Sequence, residues 1–261
     1  MIHSITSRAN SRVKLAVALE KSSSCRKRNR FLMEGPRFVS DHLDRSGLID
    51  FIAVSEAASD ESVMVAKSAD NNGYIVIRVS SEIFASISNT GTPQGISAIC
   101  PIPDYSISDL FTGGTVLVLD GVADPGNAGT AIRSAAAFGC SGVVFLKGSV
   151  FPWSPKVTRS AAGLNSAIPI CEVNSLRGIR DKSPDYCFLG ARCSGTPMDN
   201  MFDTLTKPVC IVIGSEAHGL SETSQSTMTG SVSIPMARGV ESLNAGVSAS
   251  ILLSLLFRKS F

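Results

Sequence analysis

Three short stretches carry residue types whose spacing suits chemistry. The first is Ile234-Pro-Met-Ala-Arg-Gly-Val-Glu-Ser-Leu-Asn-Ala-Gly-Val-Ser-Ala249. Val232 and Ile234 read as a strand, Pro235 turns the chain out of it, and Ser242 suits the N-cap of a following helix. That helix opens on the small residues Ala245, Gly246, Ser248 and Ala249 and continues with Val247, Ile251, Leu252, Leu255 and Leu256. A small-residue first turn admits another backbone or a flat ligand, and its free N–H groups suit a carboxylate or other anion. The same pattern also describes an amphipathic helix that closes a core.

The second stretch is Gly214-Ser-Glu-Ala-His-Gly-Leu-Ser221, after the apolar run Val209–Ile213. The third is Leu119-Asp-Gly-Val-Ala-Asp-Pro-Gly-Asn-Ala-Gly-Thr-Ala-Ile-Arg133, after Val116–Val118. Each is a buried strand, a glycine-containing loop and a helix. Asn127 is a natural N-cap for a helix from about Ala128 to Phe138. Arg133 lies within that apolar, small-residue helix, so it is either exposed or aimed at an anion. Glu216 follows a buried strand, where a surface, capping or site role is open. His218 reads as a loop residue in preference to a general base.

Together, and in this order, the three blocks resemble the signature motifs of the SpoU (TrmH-like) RNA ribose 2′-O-methyltransferases. The resemblance implies the SPOUT architecture, an α/β fold whose parallel sheet carries a C-terminal deep trefoil knot. It implies S-adenosylmethionine as cofactor, held at Gly214, Ile234, Met236, Leu243 and Asn244. It implies Arg133, Asn127, Glu216, Ser242 and Asn244 as the catalytic set, with Arg133 handling the target 2′-hydroxyl and its phosphate. It also implies a homodimer with the active site near the knot. Neither the fingerprint of a dinucleotide fold nor a Walker loop follows the first strand.

The elements that must position these blocks alternate along the chain. Residues 1–100 read as a small α/β domain, 101–114 as a linker rich in Pro and Gly, and 115–261 as the methyltransferase domain. In the first domain, helices are expected over Ser11–Lys21, Arg37–Asp44 and Ser59–Ala69. Strands are expected near Phe31–Met33, Ile49–Val54, Tyr74–Val79 and Ile96–Cys100. Ser22–Arg30 reads as a polar, basic loop. Within the resemblance this is the substrate-binding domain, folded like kink-turn-binding ribosomal proteins. In the second domain Ser154-Pro155 reads as an N-cap followed by proline at the first helical position. Strands are expected at Val143–Leu146, Ile168–Cys171 and Tyr186–Ala191. The stretch Asp199–Leu205 carries no clear signal.

Charge separates the two ends. The formal net charge of the 261 residues is +2, but Met1–Ser40 holds nine Lys/Arg and two acids, leaving the remainder at −5. A basic end on a near-neutral chain points to a polyanion, most simply RNA, or is a solvated helix face. The candidate RNA contacts are Arg8, Arg12, Lys14, Arg26, Arg28, Arg30, and in the second domain Lys156 and Arg159. An Arg- and Ser-rich start also fits a transit peptide; its likeness to the opening of bacterial members of the family favours a mature RNA-contacting end.

Seven cysteines without Cys-x-x-Cys spacing, and only three histidines, give neither a disulfide framework nor a metal site. No apolar run approaches the roughly 20 residues of a membrane span. A reducing cytoplasm is the expected location. The expected substrate is large-subunit ribosomal RNA. Transfer RNA is the alternative, and a non-catalytic RNA-binding assembly factor is the alternative of a different class.

Overall fold

The computed structural model describes residues 2–45, 47–88, 90–201 and 205–259. It divides into two compact units. The first comprises residues 1–103 with 153–167, and the second residues 104–152 with 168–261.

The first unit runs through β1 (His3–Ile5), α1 (Ser11–Ala18), α2 (Ser22–Arg28), β2 (Arg30–Glu34), α3 (Pro36–Asp44), β3 (Phe51–Ser55), α4 (Asp60–Asn71), β4 (Val76–Val79), α5 (Ser81–Ile87) and β5 (Ile96–Pro101). Its five strands form one mixed sheet in the order β1-β4-β3-β5-β2. The β4–β3 pair is parallel, and β5 runs antiparallel to both β3 and β2. All five residues of β3 are buried, so this strand is covered on both faces. Side-chain caps begin the helices where the sequence offers them. Ser59 accepts from the Ser62 amide before α4, and Ser80 from the Ile83 amide before α5.

Two expectations change here. Ser22–Arg30, read as a loop, contains helix α2. The reason is Cys25, which is wholly buried and whose Sγ–H donates to the Leu19 carbonyl. Arg26, Lys27 and Arg28 fall in the last turn of α2, where cations suit the helix dipole. The second change is β1, which carries no apolar alternation. It pairs His3, Ser4 and Ile5 with β4 at the sheet edge.

The second unit continues with α6 (Ile107–Leu110), β6 (Val116–Asp120), α7 (Pro125–Ala137) and β7 (Gly142–Leu146). Next come α8 (Pro155–Ser160) and a 3₁₀ turn (Leu164–Ser166), both in the inserted segment of the first unit. Then follow β8 (Ile170–Val173), α9 (Arg177–Arg180), β9 (Cys187–Pro197), α10 (Met198–Met201), β10 (Val209–Gly214), α11 (Glu222–Thr227), β11 (Gly230–Ser233) and α12 (Ala245–Lys259). The stretch Asp199–Leu205, which carries no clear signal in the sequence, lies partly outside the described residues.

All six strands of this unit are parallel, in the order β11-β9-β10-β6-β7-β8. The centre of the sheet is buried on both faces. On one side Val116, Val118, Val144, Leu146, Phe188, Cys210 and Val212 join Leu110, Leu176 and Ile179 in one core. Helix α12 packs on β10 and α7, and α7 packs on β6 and β7. The chain leaves β6 toward β7 on one side, while β10 lies on the other. The carboxyl ends of β6 and β10 therefore flank the point where strand order reverses, which is where open α/β sheets place their ligands.

The stretch 101–114, read as a linker, holds more structure than a spacer. Ser106 and Asp109 form a capping box for α6, and Leu110 is fully buried. Leu110 occupies the space that a side chain on Gly142 would need, with its Cγ 2.2 Å from the ideal Cβ position. Residues 153–167 pack with the first unit although the sequence places them within the second domain. The Trp153 and Phe31 rings pack tilted at 46° with centroids 4.8 Å apart, and the Ser166 hydroxyl lies 3.1 Å from His42 Nδ1. Among the described residues no helix is long and apolar enough to cross a membrane.

Candidate active site

The site is built from the carboxyl-end loops of β6, β10 and β11. Asp124, not Asn127, caps α7: its Oδ1 accepts from the Asn127 amide at 2.8 Å, and Pro125 takes the first helical position. Asn127 is thereby free of capping, and its side-chain amide faces the other two blocks. Asn127 Nδ2 donates to Glu216 Oε1. Asn244 Nδ2 donates to Asn127 Oδ1 at 2.6 Å, and Asn244 Oδ1 accepts from the Val247 amide at 3.1 Å. One side-chain chain thus runs Asn244–Asn127–Glu216 and joins the three sequence blocks.

The last helix begins at Ala245. Asn244 supplies the capping bond expected of Ser242, because it is the residue directly before the first turn. Gly239 takes φ +90°, a left-handed value that favours glycine. Gly246 is where α12 meets α7; an ideal Cβ there would lie 3.0 Å from the Asn127 carbonyl oxygen. The small first turn of α12 therefore serves helix packing at Gly246.

A cleft of about 460 Å³ opens beside these loops. Gly214, Ile234, Met236 and Leu243, of the expected cofactor set, line it, and so do Glu216 and Ser242 of the expected catalytic set. Asn127 and Asn244 stand behind Glu216 without lining the cleft. Arg133 is exposed on α7, outside the lining, and makes no hydrogen bond or ion pair with the described residues. The structure therefore brings together every expected site residue of this unit except Arg133. His218 also lines the cleft, with its amide donating to Ser215 Oγ at 3.1 Å.

Two features of the site lie outside the expected residue sets. Asp120 ends β6, is 5% exposed, and accepts the Ser221 amide on Oδ2 at 2.8 Å. Its signal is an acid directly after the apolar run Val116–Leu119. The other is the segment Ala191–Ser194, which lines the cleft although the sequence suggests only the end of a strand there.

The candidate RNA contacts of the first unit divide by what they touch. Arg8 pairs with Glu82 at 2.7 Å, Arg30 pairs with Asp50, and Arg12 sits 6.0 Å from the centre of the Phe51 ring. Lys14 is exposed and shares a surface hollow of about 330 Å³ with Arg8 and Val17. Arg26 and Arg28 are exposed on α2. Lys156 and Arg159 are exposed on α8, capped by Ser154 and opened by Pro155 as the sequence implied. Among the described residues no cluster of His, Cys, Asp and Glu is placed to hold a metal ion.

The cleft volume lies within the roughly 300–1,000 Å³ of small-molecule sites. Its lining is mixed, with Ile213, Val232 and Leu252 as apolar walls and Ser215, Gln225 and Ser248 as polar groups. A nucleoside with a charged tail fits such a donor set.

Comparison with known proteins bears on the family and the fold. Residues 10–98 match the MRM3-like substrate binding domain. The chain is 29% identical over 253 residues to the 23S rRNA (guanosine(2553)-2′-O)-methyltransferase RlmP of Bacillus subtilis, covering 95% of this chain and 97% of that one. It is 30% identical over 282 residues to the mouse mitochondrial rRNA methyltransferase 3, covering 87% of this chain and 67% of the relative. The crystal structure of the AdoMet-bound rRNA methyltransferase from Sinorhizobium meliloti superposes with a TM-score of 0.87 at 27% identity, over 100% of this chain and 99% of that one. Residues 114–254, which hold all three blocks and the whole cleft, match the SpoU rRNA methylase family, and the chain belongs to that family.

Proposed function

We propose that this protein transfers a methyl group from S-adenosylmethionine to a ribose 2′-hydroxyl of RNA, and that the RNA is large-subunit ribosomal RNA. The observation that carries the reading is the Asn244–Asn127–Glu216 chain. It fixes one carboxylate at the rim of a cleft of nucleoside size in a member of the SpoU family. The MRM3-like match and the names of the relatives support ribosomal RNA over transfer RNA.

Bound in the cleft, S-adenosylmethionine would supply an electrophilic methyl group on a sulfonium. Gly214, Ile234, Met236 and Leu243 would hold it, with Asn244 fixing the end of the loop. Asn127 occupies one oxygen of Glu216, which keeps the carboxylate in one orientation and places negative charge at the rim. Ser242, exposed at the same rim, has a hydroxyl open to substrate. The 2′-hydroxyl is a weak nucleophile, so positioning it carries much of the rate. Arg133 would orient that hydroxyl and its phosphate. Its guanidinium stays protonated and is a poor base, so proton removal falls to the phosphate or to solvent.

Arg133 lies outside the cleft lining, and α12 leaves Val247 43% exposed. Both features support a homodimer in which a second copy completes the site. The strand order β11-β9-β10 and the long 234–244 return to α12 support the trefoil knot. The first unit, with its exposed Lys14, Arg26, Arg28, Lys156 and Arg159, would bind the RNA.

The test is methyl transfer from labelled cofactor to unmodified ribosomal and transfer RNA pools, with Arg133→Ala alongside. Label in ribosomal RNA that protects one position from alkaline cleavage is the expected result. Loss of label in Arg133→Ala with cofactor binding intact supports its role. Label in transfer RNA alone changes the substrate. Cofactor binding without label leads to ribosomal assembly intermediates as substrate, and no cofactor binding leaves an RNA-binding assembly factor.

A further inference from the structure

We propose that Arg192 is a specificity residue of the cleft that holds the α-carboxylate of the cofactor's methionine tail. The inference rests on reading the cleft as the S-adenosylmethionine site.

The position arises from an interruption of the sheet. On β11, the neighbours Ser231 and Val232 pair with Gly190 and Thr196 of β9. Five residues of β9, Ala191–Gly195, therefore stand between two successive partners. The ladder with β10 has ended by then, at Val212↔Gly190. Such a bulge re-aims side chains that a regular strand would send alternately to its two faces. Here Ala191, Arg192, Cys193 and Ser194, four residues in a row, all line the cleft.

The bulge is fixed at both ends. At its base, a Cβ on Gly195 would lie 2.6–2.8 Å from the backbone of Val232, so only glycine fits. The Ser233 hydroxyl donates to the Gly195 carbonyl at 2.8 Å. At its tip, the Cys193 thiol donates to the Glu241 carbonyl at 3.0 Å, tying the bulge to the 234–244 loop.

Charge selects the ligand group. Arg192 is the only Lys or Arg among the described residues lining the cleft, and Glu216 is the only acid. Arg192 is exposed and makes no hydrogen bond or ion pair with the described residues. Glu216 is held by Asn127. A ligand with one anionic and two cationic groups matches this pair: the carboxylate goes to the guanidinium, and the sulfonium and ammonium take the field of Glu216. A guanidinium is suited to a carboxylate because it offers two parallel N–H donors. An RNA phosphate is the competing anion. The carboxylate is favoured because Arg192 shares one cleft with the expected cofactor residues Gly214, Ile234, Met236 and Leu243.

The test compares two ligands that share the adenosine–sulfur part. S-adenosylhomocysteine carries the amino-acid tail; 5′-methylthioadenosine does not. Calorimetric Kd values are measured for both on the wild type, Arg192→Gln and Arg192→Lys. Arg192→Gln is expected to weaken S-adenosylhomocysteine about tenfold or more and to leave 5′-methylthioadenosine unchanged. Arg192→Lys should recover part of the loss. Equal loss for both ligands, or none for either, overturns the assignment. Unchanged S-adenosylhomocysteine affinity with a raised KM for RNA overturns it in favour of the phosphate. Failure of the wild type to bind either ligand overturns the methyltransferase reading itself, and is distinguishable because no variant is needed to see it.

Discussion

Asp120 and Ser221 lie 101 positions apart in sequence and are joined by one hydrogen bond, from the Ser221 amide to Asp120 Oδ2 at 2.8 Å. Asp120 ends β6 at its pairing with Gly214 of β10. Ser221 caps α11, its hydroxyl accepting from the Ser224 amide. The bond therefore fixes where the 214–221 loop lands relative to the first block. The carboxylate is almost wholly buried, and its removal leaves the Ser221 amide without this acceptor. Asp120→Ala is expected to cost about 1–3 kcal/mol in chemical denaturation. It should also weaken S-adenosylhomocysteine binding. Asp120→Asn, which keeps an acceptor oxygen, should recover most of both. Equal losses in the two variants would remove the bond as the cause.

Asn127 and Asn244 form a second long-range pair, with Asn244 Nδ2 donating to Asn127 Oδ1 at 2.6 Å. Asn127 also orients Glu216, so the three side chains should act as a unit. A double-mutant cycle of Asn127→Ala and Asn244→Ala, read in kcat/KM, is expected to show a coupling energy of about 0.5–3 kcal/mol. Additive losses would show that the two residues act separately.

Gly214 and Gly219 offer a contrast within one loop. The Ser215 and Gly219 backbones bond to each other at 3.0 and 2.9 Å and close a tight turn. A Cβ on Gly214 would lie 2.3–2.5 Å from Gly219 and Leu220 backbone atoms, which cannot yield without opening the turn. A Cβ on Gly219 would meet nothing within 4 Å, and there only the left-handed φ of +66° opposes it. Gly219→Ala is thus expected to cost about 1–2 kcal/mol of stability. Gly214→Ala should cost more and should abolish cofactor binding. Calorimetry on the two folded variants decides; equal effects would remove the steric account.

These three relationships show how far the sequence was legible. The blocks around Asn127, Glu216 and Asn244 stand out because each follows a buried strand and contains glycine. Their types and order carry the family resemblance that points to the site. The partnerships are not legible. Asp124 and Asn127 are equally good caps by chemistry, and Pro125 decides between them by taking the first helical position. Ser242 and Asn244 are likewise equal caps, and the start of α12 at Ala245 settles it. The bulge at Ala191–Gly195 exists only as a mismatch of register between β9 and β11, which no single strand encodes. The allegiance of residues 153–167 to the first unit is a property of long-range packing. In the local pattern they read as one more helix of the second. Arg133 stands out by resemblance alone, because within one chain its exposed side chain meets no partner among the described residues.

His42, which meets that same inserted segment at Ser166, is expected to make the first unit sensitive to pH. His42 is 5% exposed on α3, with Nε2 3.3 Å from the Leu48 carbonyl and Nδ1 3.1 Å from the Ser166 hydroxyl. A neutral ring with its proton on Nε2 donates to the Leu48 carbonyl, while Nδ1 lies against the Ser166 hydroxyl, whose own proton goes to the Gly163 carbonyl. Gly47 lies so close to the ring that a Cβ there would come within 2.2–2.5 Å of it. Burial pushes the imidazole below its ordinary value of 6.5; the Leu48 carbonyl opposes the shift and the Arg45 charge adds to it. The unfolded chain therefore takes up a proton more readily than the folded one. The stabilisation is fully present above the ordinary value and is lost as pH falls through it toward the lower folded value. The thermal midpoint is expected to drop between pH 7.5 and about 5.5. His42→Gln, which keeps a donor and an acceptor, should be less stable at pH 7.5 yet show a flatter slope. An equally steep slope in the variant would assign the pH dependence to other groups.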